Sequence, residues 1–190
     1  MTKAKKIILI SVFSAVVIGL SAYLIFRKKK KGMVDKAKNY VIGDSQTPFI
    51  DKNSSKVSRI SETSGEESLW KGGMGLNWLK ESVGKYPESP DVNSIVINIG
   101  TNGGFNANED IQGLVSAIKQ KFPNADLYAV QGSWGWGGNK NVTQEKVKKY
   151  YDKFNQLGVK IINPAIGSVS DPHGNLPIYA EIGKALDSII

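Results

Sequence analysis

The chain contains no cysteine and a single histidine, His173. Without thiols neither a disulfide framework nor a thiolate metal centre can form, and one imidazole excludes a histidine-rich metal site. Chemistry free of metals and other cofactors is therefore expected. Nucleotide-binding signatures are also missing. There is no G-x-x-x-x-G-K-[ST], no well-placed G-x-G-x-x-G after the first predicted strand, and the glycine-rich stretch 132–138 is not followed by Lys-Ser or Lys-Thr.

Excess positive charge is absent from most of the chain, although the formal net charge is +8. Residues 1–38 carry ten Lys or Arg against one Asp, whereas residues 39–190 carry fifteen against sixteen acids. The globular part lacks the basic footprint of a nucleic-acid binder, so no nucleic-acid partner is expected.

What is present begins with an apolar run. Residues 7–26 (IILISVFSAVVIGLSAYLIF) are uncharged, with lysines before them and Arg27 to Lys31 after. At roughly 1.5 Å per residue this run spans a hydrocarbon core of about 30 Å. A cleaved signal peptide would have a shorter apolar region and a small-residue cleavage site, so the run reads as an uncleaved anchor. The expected organisation is a basic tail at 1–6, a transmembrane helix at 7–26, a basic tether at 27–38 and one domain at 39–190. The lipid bilayer is the expected partner and a single-pass membrane protein the expected state. The positive-inside rule points the domain to the cytoplasm, while an enzyme on wall polymers would need the opposite side.

From residue 39 onward hydrophobic runs and helical patterns alternate as in an α/β domain. Strands are predicted at 39–43, 57–60, 94–99, 127–131 and 159–162. Helices are predicted at 76–83, 109–121 with Asn108 as N-cap, 144–157 and 178–189, and a loop at 48–55. This order implies a parallel sheet covered on both faces, with ligands bound beyond the carboxyl ends of the strands.

Four features fall at such positions. Gly43-Asp44-Ser45 ends the first strand and displays a hydroxyl beside a turn-forming glycine, although the same residues form turns anywhere. Trp70-Lys-Gly-Gly-Met-Gly75 precedes a helix, where exposed backbone N–H groups can stabilise an oxyanion or simply start the helix. Asn102 follows the central strand, and its amide could donate to a developing oxyanion, an interaction of about 3 kcal/mol; Asn-Gly is equally a turn pair. His173 lies in Ser170-Asp-Pro-His-Gly174 and is the one imidazole able to activate a serine.

Together these blocks resemble the SGNH (GDSL-like) hydrolases, named for Ser, Gly, Asn and His in that chain order. The resemblance covers essentially all of residues 39–190 and implies a three-layer α/β/α, flavodoxin-like domain. It implies that Ser45 is the nucleophile and His173 the base, with Asp171 orienting the imidazole. It implies an oxyanion hole of the Ser45 N–H, the Gly73 N–H and the Asn102 amide, with Gly75 in reserve for the second donor. The sequence departs from the family in two places. The acid usually stands three positions before the His, where Ser170 stands here, and Gln46 occupies a position where Leu is common.

Trp134 and Trp136 follow a predicted strand and are the expected substrate-binding aromatics, unless they cover the core edge. The implied activity is hydrolysis of acyl esters, either O-acetyl groups of a carbohydrate or cell-wall polymer or lipid esters. An alternative of a different class is a catalytically silent binding or structural module of a membrane or virion assembly.

Overall fold

A computed structural model of the chain describes residues 38–61, 68–163, 171, 173 and 176–190. The apolar run 7–26 lies outside the described residues. Among the described residues, no helix is long and apolar enough to cross a membrane.

The strands are β1 (Lys38–Gly43), β2 (Ser58–Arg59), β3 (Val92–Asn98), β4 (Asp126–Val130) and β5 (Lys160–Ile162). They form one sheet in the order β2-β1-β3-β4-β5, with every pairing parallel. The helices are α1 (Thr47–Asn53), α2 (Leu76–Lys85), α3 (Ile111–Lys121), α4 (Gln144–Gln156) and α5 (Leu176–Ile189).

Alternation along the strands divides the apolar side chains between two cores. Ile42, Ile95, Ile97, Leu127 and Ala129 face one way, onto Leu79 and Val83 of α2, Leu114 and Ile118 of α3, and Val147 and Phe154 of α4. Val41, Val96, Tyr128 and Val130 face the other way, onto Ile50 of α1 and Ile178, Tyr179, Ile182 and Leu186 of α5. The result is the expected three-layer α/β/α arrangement. Burial on both faces explains why Ser94 to Ile99 reads as an unbroken β-branched run rather than an alternating one.

Two local expectations are corrected. Residues 48–55 are not all loop, because Thr47–Asn53 forms α1 with Pro48 in its first turn. Proline fits there because its missing N–H would have no intrahelical partner and its φ is already helical. The cap of α3 is Asp110 rather than Asn108: its carboxylate accepts from the Gly113 N–H at 2.9 Å. That bond supplies one of the donors a helix start leaves open, so the helix begins two residues later than the periodicity predicts. The cap of α4 is Thr143, whose hydroxyl accepts from the Lys146 N–H at 3.2 Å.

Candidate active site

Ser45 stands where β1 turns into α1, at the carboxyl edge of the sheet, where folds of this class bind ligands. Gly43 makes the turn possible. Its φ is +144°, and a Cβ there would lie 1.8 Å from the Asn98 carbonyl oxygen. Strands β1 and β3 therefore approach one another more closely at this point than any side chain permits. Beyond the last pair, the Asp44 N–H donates to the Asn98 carbonyl at 3.0 Å. Asp44 Oδ1 accepts from the Gln46 N–H at 3.0 Å and from Asn98 Nδ2 at 3.1 Å. This turn, closed by a side chain on its own backbone, holds Ser45 at its tip.

Asp44 is only 1% exposed, and its Oδ2 has no hydrogen-bond partner among the described residues. Burial pushes its carboxyl up to about 6, against the opposing pull of the Gln46 N–H, His173 and Asn98.

Ser45 Oγ lies 2.8 Å from His173 Nε2, and His173 Nδ1 lies 2.9 Å from Asp171 Oδ1. The same carboxylate oxygen accepts the backbone N–H of His173 at 2.9 Å. An acid two positions before the His can thus reach both the backbone N–H and the ring of that residue. The His173 backbone N–H, then the hydrogen bond and charge of its ring, hold the Asp171 carboxyl below the usual carboxylate range. An ionised carboxylate can only accept, so Nδ1 carries the ring proton and Nε2 is left to accept the Ser45 hydroxyl. A base at this distance can take the proton of an attacking hydroxyl.

Two aromatic rings meet His173 edge-on: Phe49 with centroids 6.2 Å apart and Trp136 at 6.4 Å. Phe49 in turn stacks on Tyr179 of α5 at 4.9 Å. The two expected substrate-binding tryptophans therefore part company. Trp136 stands at the imidazole, whereas Trp134 is half-buried against the core beneath α2 to α4.

Asn102 lies on a tight loop after β3, in which the Gly103 and Phe105 N–H groups donate to the Gly100 carbonyl at 3.2 and 2.9 Å. Phe105 has φ of +55°, the one positive value among the described non-glycine residues, and its ring is fully buried. The burial of that ring holds a backbone conformation that costs about 1–3 kcal/mol. One N–H of the exposed Asn102 amide donates to the Met74 carbonyl at 3.0 Å, which leaves the other for a ligand.

The glycine block runs alongside. The Gly43 N–H donates to the Leu69 carbonyl and the Lys71 N–H to the Gly43 carbonyl, at 2.9 and 3.0 Å. This pairing carries Gly72 to Ser45: a Cβ on Gly72 would lie 3.7 Å from that of Ser45. Gly73, at φ +75°, makes the turn that follows. The backbone N–H groups of Ser45, Gly72 and Gly73 have no acceptor among the described residues. Gly75 is the N-cap of α2.

Sequence reasoning missed Gly72, Phe49, Asn98 and the buried Gln46. Only pairing across the sheet or contacts with α5 bring them to the site. The Asp44-x-Gln46 spacing of a side-chain-closed turn was the one available signal. Among the described residues no group of three or more acidic or imidazole side chains is placed to hold a metal ion.

No family model matches the chain, and no curated protein sequence does. Solved structures do. A structure described as a platelet activating factor from Streptococcus pneumonia aligns at TM-score 0.57 and 14% identity, over 92% of this chain and 98% of its own. A lipolytic protein of the G-D-S-L family from Veillonella parvula aligns at 0.55 and 14%, over 80% and 97%. A structure assigned to the same family, from Desulfitobacterium hafniense, aligns at 0.57 and 11%, over 81% and 99%. At such identities the likeness concerns the fold, which this chain shares with these G-D-S-L-family structures.

Proposed function

We propose that the chain is a metal-independent serine ester hydrolase that works through an acyl-enzyme. Ser45 Oγ attacks the ester carbonyl while His173 Nε2 takes its proton, and Asp171 stabilises the resulting imidazolium. The tetrahedral oxyanion is met by the Ser45 N–H, the Gly73 N–H and the free N–H of Asn102, with the Gly72 N–H in the same loop as the alternative second donor. Collapse expels the alcohol, which receives the proton from His173. Water then repeats the sequence on the acyl-enzyme and releases the acid.

The observation that carries this reading is the pair of contacts on one imidazole, 2.8 Å to Ser45 Oγ and 2.9 Å to Asp171. The preferred substrates are O-acetyl groups of a carbohydrate or cell-wall polymer, with lipid esters second. The side chains of His173 and Asp171 are 41% and 56% exposed. An open site of this kind suits an ester carried on a large body, and Trp136 offers a face for a sugar ring or acyl chain. Residues 7–26 anchor the domain to the bilayer in this reading.

A fluorophosphonate probe tests the mechanism. Wild-type chain becomes labelled, Ser45→Ala does not, and His173→Ala loses at least about 10³-fold in turnover. A panel of acetylated sugars, lysophospholipids and 4-nitrophenyl acetate separates the substrate classes. No labelling and no cleavage across that panel would leave a silent module instead.

A further inference from the structure

Gln46 stands where the resemblance to the SGNH hydrolases implies a leucine, and the residue is 5% exposed. A primary amide so placed is costly unless it is hydrogen-bonded. Its Nε2 donates to Thr101 Oγ1 at 2.9 Å, and its Oε1 accepts from the Tyr179 hydroxyl at 3.5 Å, the long end of a hydrogen bond. The backbone of Gln46 is committed as well: its N–H to Asp44 Oδ1, its carbonyl to the Phe49 and Ile50 N–H groups. The side chain therefore makes its closest polar contact with the residue that precedes Asn102.

Thr101 is fixed from its other side. Its carbonyl accepts from Asn139 Nδ2 at 3.2 Å and from the Gly104 N–H at 3.1 Å. The contacts then close a circuit around the position an oxyanion would take. Gln46 follows Ser45 and holds Thr101; Asn102 follows Thr101 and holds the Met74 carbonyl; Gly72, in the same loop as Met74, lies against Ser45. Regular pairing of β1 with β3 ends at Gly43 and Asn98. Past the bonds between Asp44 and Asn98, the Gln46–Thr101 bond is the direct side-chain link between the turn of Ser45 and the loop of Asn102.

We infer that Gln46 is a positioning residue, whose amide ties Thr101 to the nucleophile turn and so sets the spacing of the Ser45 N–H and the Asn102 amide around one oxyanion. The inference rests on the serine hydrolase reading. Donors to an oxyanion act within a few tenths of an ångström of their best distance, so loosening this link weakens stabilisation of the transition state more than binding of the ground state. An apolar side chain of similar size fills the space but leaves Thr101 untied.

The test is a double-mutant cycle on the full chain in detergent with 4-nitrophenyl acetate, each rate normalised to sites titrated with a fluorophosphonate. A merely structural role lowers the titrated fraction or the melting temperature and leaves the normalised kcat alone. Gln46→Met and Thr101→Val are each expected to lower normalised kcat about 10–100-fold with KM within about twofold, and the double variant falls no further than the worse single. Thr101→Ser, which keeps the hydroxyl, retains most of the wild-type rate. Should Gln46→Met fail to fold, the contrast of Thr101→Val with Thr101→Ser carries the same test. Unchanged kcat, or losses that multiply in the double variant, overturns the inference while leaving the hydrolase reading intact. A wild-type chain that neither labels nor turns over sinks both.

Discussion

A single oxygen of Asp171 receives both the backbone N–H and the ring Nδ1 of His173, each at 2.9 Å. One carboxylate thus holds both the backbone and the ring of His173 and fixes the tautomer. This relationship explains how an acid two positions before the His, rather than three, can orient the imidazole.

Asp171→Asn separates these two tasks. The amide oxygen can still accept the backbone N–H, but the ring loses its ionised partner and with it the preference for a proton on Nδ1. We expect kcat for 4-nitrophenyl acetate to fall about 10²–10⁴-fold with little change in KM. Turnover within a few-fold of wild type would mean that the carboxylate serves only the backbone N–H.

Asp44 makes stability depend on pH in the direction opposite to most acids. Its folded-state value of about 6 lies above the ordinary 3.8, so the native state holds the extra proton between these values. Its stabilising contribution is complete below about pH 4 and is lost as pH rises through 6, with about 3 kcal/mol at stake for a shift of this size. Urea unfolding of the full chain in detergent at pH 4, 5, 6 and 7 should show this decline, and Asp44→Asn should flatten it. Identical pH profiles for the two chains would remove Asp44 as its source.

The two tryptophans should fail differently. Trp134→Ala removes a half-buried ring from the core and should cost about 2 kcal/mol of stability, with activity per folded molecule retained. Trp136→Ala should leave the melting temperature nearly unchanged and lower kcat/KM on an acetylated sugar by about tenfold or more, the usual scale for a lost aromatic contact. A reversal of the two phenotypes would reassign the substrate face.

The glycine loop offers another paired comparison. A methyl at Gly73 meets no atom within 4 Å, but φ of +75° strains it, so Gly73→Ala should cost stability of about 1 kcal/mol. At Gly72 no such backbone penalty applies, yet the methyl sits 3.7 Å from Ser45 Cβ, where the proposed reaction brings the substrate carbonyl. Gly72→Ala should therefore spare the melting temperature and depress kcat/KM. Wild-type activity in Gly72→Ala would place the ester away from this loop.

Much of this molecule is written in short-range pattern. Strands buried on both faces announce themselves as apolar runs, and helices as an apolar face with a defined stop, so the order of elements and the parallel sheet follow from residues 39–190. The same patterns put Ser45, Asn102 and His173 at loops on one edge, because parallel strands all end there. The single His leaves one choice of base, and the composition of residues 1–38 isolates the basic charge.

What the sequence leaves open is distance. Nothing in its order says that Asp171 reaches both the backbone N–H and the ring Nδ1 of the next residue but one, because those are distances in space. Gly43 has to be glycine because the Asn98 carbonyl occupies the place of its side chain, and Asn98 lies on another strand. Gln46 reads as a neutral departure from a leucine position until packing places Thr101 at 2.9 Å from its amide. Trp134 and Trp136 look alike in the chain, yet only the second meets His173. Local sequence decides which element each residue joins, while close approach between elements decides which side chains touch, since that is where hydrogen bonds and buried charge acquire their energies.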